Sequence, residues 1–176
     1  MLTALATAAC VALTCPAPIG AGPEFHPPAR WPLAGGAAFH RFGAIHGGPR
    51  VHLELFAGGR VIVVPGGIGV AAPRTTLHGF IVAAPGRADA WTLFSGGVFT
   101  LAREGLTLGE LFDVWGQPLD ARTLLGFSGP VRVYAGGRRV SGDPRALALH
   151  DGDQVVLEVG PYVPPHALFT FHSDRL

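Results

Sequence analysis

Apolar and polar side chains alternate most cleanly from Val51 to Phe56. Val51, Leu53 and Leu55 fall on one side, and His52, Glu54 and Phe56 on the other. That period of two predicts a half-buried strand. Ala57-Gly58-Gly59-Arg60 then turns the chain, and a β-branched run over 61–64 returns it, ending at Pro65-Gly66-Gly67. A brief extended piece is expected at 68–70. Residues 77–83 and 91–94 are predicted strands, parted by Ala84-Pro85-Gly86. Ser95-Gly96-Gly97 predicts a turn before a return strand at 98–101. Later, Val131 and Val133 alternate with Arg132 and Tyr134 up to Gly136-Gly137. Asp151-Gly152 leads into a last strand at 154–159.

The period changes once. Leu108, Leu111, Phe112 and Trp115 recur at helical spacing and make one apolar stripe. Thr107 and Glu110 form a capping-box signature ahead of it. Gly116 suits the left-handed residue past the end, and Pro118 forbids continuation. Asp113 is the weaker piece, a negative charge near the negative end of the helix dipole. A short helix over about 107–116 is expected, laying an aromatic face on a sheet. Asp120 reads as the cap of a second helical turn at 121–125, stopped by Gly126, and Asp143-Pro144 as the start of a single turn.

Leu55-Phe-Ala-Gly-Gly-Arg60 and Val133-Tyr-Ala-Gly-Gly-Arg138 echo each other across the helix. Two hairpins of one kind around one helix predict an α+β fold, a hairpin-rich sheet with one short packed helix. Its single domain is expected over 37–176. Residues 23–36 read as a flexible Pro/Gly-rich lead-in, and irregular chain continues to Pro49. Residues 161–176 read as an extended tail whose Tyr162, Leu168, Phe169 and Phe171 pack back on the body.

Composition changes the picture at the N-terminus. Residues 1–22 hold no charge, and an apolar run at 2–13 is followed by Pro16, Pro18 and Gly20. This reads as an export leader or a membrane anchor. Both cysteines, Cys10 and Cys15, lie in it, so the body has no disulfide and no thiolate ligand. All 13 basic residues are Arg, with no Lys and no Asn, the mark of a GC-rich genome. Hairpin turns that elsewhere use Asn-Gly must therefore use Gly-Gly. A net charge of +1 without clustered arginines gives no footprint for nucleic acid.

The chemistry on offer is imidazole, with eight histidines in the chain. Zinc and copper take such ligands. His46, His52, Glu54 and His78 are the candidate metal ligands, able to converge if the strands that carry them are neighbours. The competing reading makes His52 and Glu54 the solvated face of an edge hairpin, and His78 a half-buried strand residue. His150, His166 and His172 read as surface groups. Gly126-Phe-Ser-Gly-Pro130 lacks the spacing of a nucleophile elbow. The glycine pairs sit in hairpins and not before a helix, so they form no phosphate loop.

Val51-His-Leu-Glu-Leu-Phe56, Val64-Pro-Gly-Gly-Ile-Gly-Val70 and Leu106-Thr-Leu-Gly-Glu-Leu-Phe-Asp-Val-Trp-Gly116 together resemble an uncharacterised family of exported bacterial proteins. That family carries a His-x-His-Leu strand, a Pro-x-Gly-Ile-Gly segment, a Leu-His-Thr-His-Asp motif, a later His-x-Glu, and a Thr-Leu-Gly-x-Phe-Phe-Asp-x-Trp-Gly helix. The resemblance implies export and a histidine-rich metal site. The departures are as informative. Position 50 is Arg, Leu77-His78 runs on into Gly-Phe-Ile, and 98–101 holds no His-x-Glu. The scaffold motifs are kept and most ligands of the resembled site are missing.

The expected function is thus a non-enzymatic extracytoplasmic binding or structural module. It would be secreted or held at the cell envelope, with an envelope partner or small ligand, no cofactor and no nucleic acid. The N-terminus would serve as a tether if it is not cleaved. The alternative is a transition-metal binder, for zinc or copper, with a degenerate site.

Overall fold

A computed structural model of the chain describes residues 23–41, 47–163 and 169–171. The leader reading at 1–22 lies outside them, as do His46, His166, Leu168 and His172. The fold is α+β and sheet-rich. In chain order the strands are β1 (Glu24–Phe25), β2 (His40–Arg41), β3 (Arg50–Ala57), β4 (Arg60–Ile62), β5 (Thr75–Leu77), β6 (Phe80–Ala83), β7 (Gly86–Arg87), β8 (Ala90–Trp91), β9 (Val98–Leu101) and β10 (Leu106–Thr107). The helix α1 (Leu108–Trp115) follows. After it come β11 (Thr123–Leu124), β12 (Phe127–Ser128), β13 (Val131–Ala135), β14 (Arg138–Val140), a single 3-10 turn at Pro144–Ala146, β15 (Ala148–Leu149) and β16 (Gln154–Val159).

The main sheet runs β1-β4-β3-β16-β13-β14, with β9 on the N-terminal half of β3 and β8 beyond it. Both expected Gly-Gly hairpins form. Gly58 and Gly59 have φ of 59° and 75°, and Gly136 and Gly137 have 54° and 77°. Two left-handed residues in succession match the twist of the flanking strands, and only glycine adopts them without strain. The two hairpins flank β16, which lies parallel to β3, pairing Gln154 with His52 and Val159 with Ala57. β13 pairs antiparallel with the other edge of β16. Hairpin, helix and hairpin thus precede a final strand that is set between the two hairpins and runs parallel to β3.

The helix is seated as its sequence requires. Thr107 Oγ1 accepts from the Glu110 amide at 3.2 Å, and the Thr107 amide donates to Glu110 Oε2 at 2.6 Å, closing the capping box. The backbone bond from Thr107, with its hydroxyl second, holds the Glu110 carboxyl below the usual range. Gly116 takes φ 74° and its amide bonds back to Phe112 and Asp113. Leu108, Leu111, Phe112 and Trp115 are fully buried against Val51, Leu53, Leu55, Leu157 and Phe99. Asp113 is tied by Arg145 at 2.7 Å.

Four segments depart from the sequence expectation. The lead-in joins the fold: β1 pairs parallel with β4, and Phe25, Trp31 and Leu33 pack on the core. Gly35 donates to the Val114 carbonyl at 2.7 Å, and a Cβ there would sit 2.4 Å from Asp113 O and from Gly116 Cα. Two residues are too short to show a period, and the glycines that suggest looseness here permit a close approach. Residues 77–83 are not one strand but the β5–β6 hairpin, reversed at His78 and Gly79 with φ of 49° and 82°. Residues 121–125 are not helical. Asp120 Oδ1 accepts from the Arg122 amide at 2.6 Å in an Asx turn, and a small β11–β12 hairpin follows. That backbone bond holds the Asp120 carboxyl below its ordinary range. Of the strand expected at 91–94, only Trp91 lies in regular pairing.

Candidate functional site

Strand alternation gives β3 a second face opposite the helix, made of Arg50, His52, Glu54 and Phe56. β3 is central, bonded to β16 along one edge and to β4 and β9 along the other. Register adds Gln154 and Glu158 from β16 and Arg132 and Tyr134 from β13 to the same side. This face is polar, yet His52 is only 2% exposed, Glu54 6% and Glu158 2%. The expectation that His52 and Glu54 form a solvated edge is therefore corrected. The strand is not at an edge, and the chain's own tail returns over this face.

Three contacts among the described residues hold His52. Nε2 lies 3.1 Å from the Gly96 carbonyl, which can only accept, so that nitrogen carries a proton. Nδ1 faces Glu54 Oε1 at 3.5 Å, an ion pair when the ring is protonated. The Phe169 ring stacks on the imidazole at 4.1 Å between centroids and 19° between planes. Gly97 is demanded by the approach of this loop to β3. It has φ 82°, and a Cβ would lie 2.2 Å from the Leu53 carbonyl oxygen.

The tail is held by side chains. The Gln154 carboxamide donates to the Phe169 carbonyl and accepts from its amide, both at 2.6 Å. Phe171 meets Phe169 edge-on at 5.1 Å, and the Arg50 guanidinium lies 5.7 Å over the Phe171 ring. Where the chain leaves β16, Arg132 Nη2 donates to the carbonyls of Gly160 and Pro161, while its Nε bonds Glu158 Oε2 at 3.0 Å. Tyr162, expected to pack back, is instead 60% exposed.

Three of the four expected metal ligands, His52, Glu54 and His78, fall among the described residues. His52 and Glu54 are together, as alternation requires. His78 is not a half-buried strand residue but the exposed tip of the β5–β6 hairpin, beside outward-facing Leu77 and Phe80. His46 lies outside the described residues. Among the described residues no group of three His, Cys, Asp or Glu side chains is placed to hold a metal ion. Sequence reasoning missed Gln154, Arg132 and Glu158. The one signal for them was the aromatic spacing of Phe169 and Phe171, which calls for a surface to receive both rings.

An open depression along α1 gathers Asp89, Glu110 and Asp113 beside Gly35 and Gly36. Its carboxylates are already engaged by His40, Arg103 and Arg145. No protein-family model, curated protein or solved structure matches the chain.

Proposed function

We propose that the protein is a non-enzymatic extracytoplasmic binding or structural module. The observation that supports this reading is the second face of the sheet. Its Arg50, His52 and Gln154 are engaged on an extended aromatic segment through a stack, a cation–π contact and an amide pair. Those are recognition contacts on a rigid strand platform, where the donor and acceptor positions are set by sheet register. The uncharged segment 1–22 supports the extracytoplasmic part of the proposal. A fusion of residues 1–30 to a reporter active only outside the cytoplasm tests it: signal in a GC-rich bacterial host is expected, and retention of the reporter inside refutes it.

The second reading, a zinc or copper binder with a degenerate site, is favoured by one observation, the buried His52–Glu54 pair at 3.5 Å. A tight structural site takes about four protein ligands and a catalytic one about three. β9 sets Val98 opposite His52 and Thr100 opposite Arg50. The resembled family carries a His-x-Glu in this strand, and residues 98–101 have none. Calorimetric titration of untagged protein with zinc and copper discriminates the two readings. Weak or absent binding at micromolar metal is expected. Submicromolar stoichiometric binding that disappears in His52→Ala would put the metal reading first.

A further inference from the structure

We infer that the second face of the sheet is a groove for an extended Phe-x-Phe peptide, occupied in this chain by its own Phe169-Thr170-Phe171. This rests on the binding-module reading and names its partner class: a protein segment presenting two aromatic side chains two residues apart.

Four observations carry it. Gln154 satisfies both backbone groups of Phe169 at 2.6 Å, as a neighbouring strand would, which grips a peptide whatever its sequence. His52 and Arg50 each receive one ring, the first by stacking at 4.1 Å and the second from 5.7 Å, so the platform reads positions i and i+2. Thr170, between them, is exposed while its neighbours are half-buried, the alternation of a strand laid on a surface. The described tail residues belong to no strand ladder and to neither apolar core cluster. The segment is thus docked on the domain through exchangeable contacts, and does not form part of its core.

The geometry also makes the tail a competitor. The chain leaves β16 after Val159 and by Phe169 is back beside Gln154, the first residue of that strand. A connection that short gives the tethered segment an effective concentration of about millimolar. A peptide in trans meets that competition in the unaltered protein and meets less of it once the Phe169 ring, which stacks on His52, is removed.

The test uses the full-length chain and a synthetic peptide, Ala-Leu-Phe-Thr-Phe-His-Ser, with a control in which both Phe are Ala. Full-length Phe169→Ala should bind the peptide, and at least about tenfold more tightly than the unaltered chain does. Adding Gln154→Ala to that variant should abolish binding while the urea midpoint shows the domain still folded. In the unaltered chain, NMR resonances of the His52 ring and the Gln154 carboxamide should shift with excess peptide and not with the control, an arm that needs no substitution. Absence of those shifts at millimolar peptide overturns the proposal. So does equal binding of both peptides, or equal binding by the Phe169→Ala and unaltered chains. Zinc titration of the same samples separates the two levels: tight metal binding refutes the underlying reading, whereas peptide failure without metal binding refutes only the groove.

Discussion

Removing Arg132 should cost more than its position near the surface suggests. Its Nε donates to Glu158 Oε2 at 3.0 Å, and the Glu158 side chain is only 3% exposed while that of Arg132 is 21% exposed. Arg132→Met strands a buried carboxylate. Breaking a buried pair from one side typically costs about 3–5 kcal/mol, since the remaining charge has lost its water and its partner. Water reaching through the exposed part of the Arg132 site lowers this toward about 3 kcal/mol. The lost bonds to the Gly160 and Pro161 carbonyls add little, because solvent can replace them. Glu158→Leu leaves the better hydrated partner behind and should cost only about 1–2 kcal/mol. The double variant replaces both charges with apolar groups of similar size and should recover most of the loss. Urea denaturation measures all four corners. With a slope of about 1–3 kcal/mol per molar, Arg132→Met should lower the midpoint by roughly 1–3 M. A loss below about 1 kcal/mol for Arg132→Met refutes the reasoning, as does a double variant whose loss equals the sum of the singles.

Trp115→Ala should destabilise the fold by about 3 kcal/mol, near the low end for a core aromatic. The reason is that its buried indole N–H has no hydrogen-bond partner among the described residues, and truncation removes that unmet donor with the ring. Thr107→Ala should cost only about 1 kcal/mol through the cap, and unchanged urea midpoints in the tryptophan variant would show α1 to be peripheral. Gly35→Ala drives a methyl into the backbone of Asp113 and Gly116 at 2.4 Å and should cost about 1–3 kcal/mol, read as a fall in thermal midpoint; a neutral result would mean that the lead-in is not docked on α1. Glu110 has a lowered folded pKa, so its contribution is complete above the ordinary glutamate value of about 4.3 and is lost as pH falls through the lower folded value. Comparing the pH dependence of stability in Glu110→Gln with the parent checks the sign: the parent's advantage should shrink on acidification, and an advantage that grows would refute it.

The parts of this fold that were legible in the sequence are those whose physics is local. Thr107 and Glu110 state a helix start within four residues, and Gly58-Gly59 states a turn by the φ values it allows. The misreadings share a cause. Asp120 can cap a helix or close an Asx turn with the same side-chain oxygen, and only the β11–β12 pairing decides between them. His78-Gly79 is a turn hidden in an apolar run, because a lone histidine at φ 49° leaves no mark on the hydrophobic pattern. For His52 and Glu54, alternation correctly put both on one face. It could not say what lies over that face, since Phe169 reaches His52 across more than a hundred residues of chain.

The parallel pairing of β3 with β16 also bears on the order of events during synthesis. The strand that completes the centre of the sheet begins at Gln154, so everything from β3 through α1 to β14 must be made before β3 acquires that neighbour. Until then Arg50–Ala57 presents a bare row of amide and carbonyl groups along one side, a template for pairing with any other extended chain. Contacts of such long sequence separation are slow to form, because the loop between them must be closed first. A ribosome stalled between α1 and β16 therefore holds a chain with its aromatic helix made and its central strand half-clad. Such a nascent chain needs protection from its neighbours until the last strand arrives.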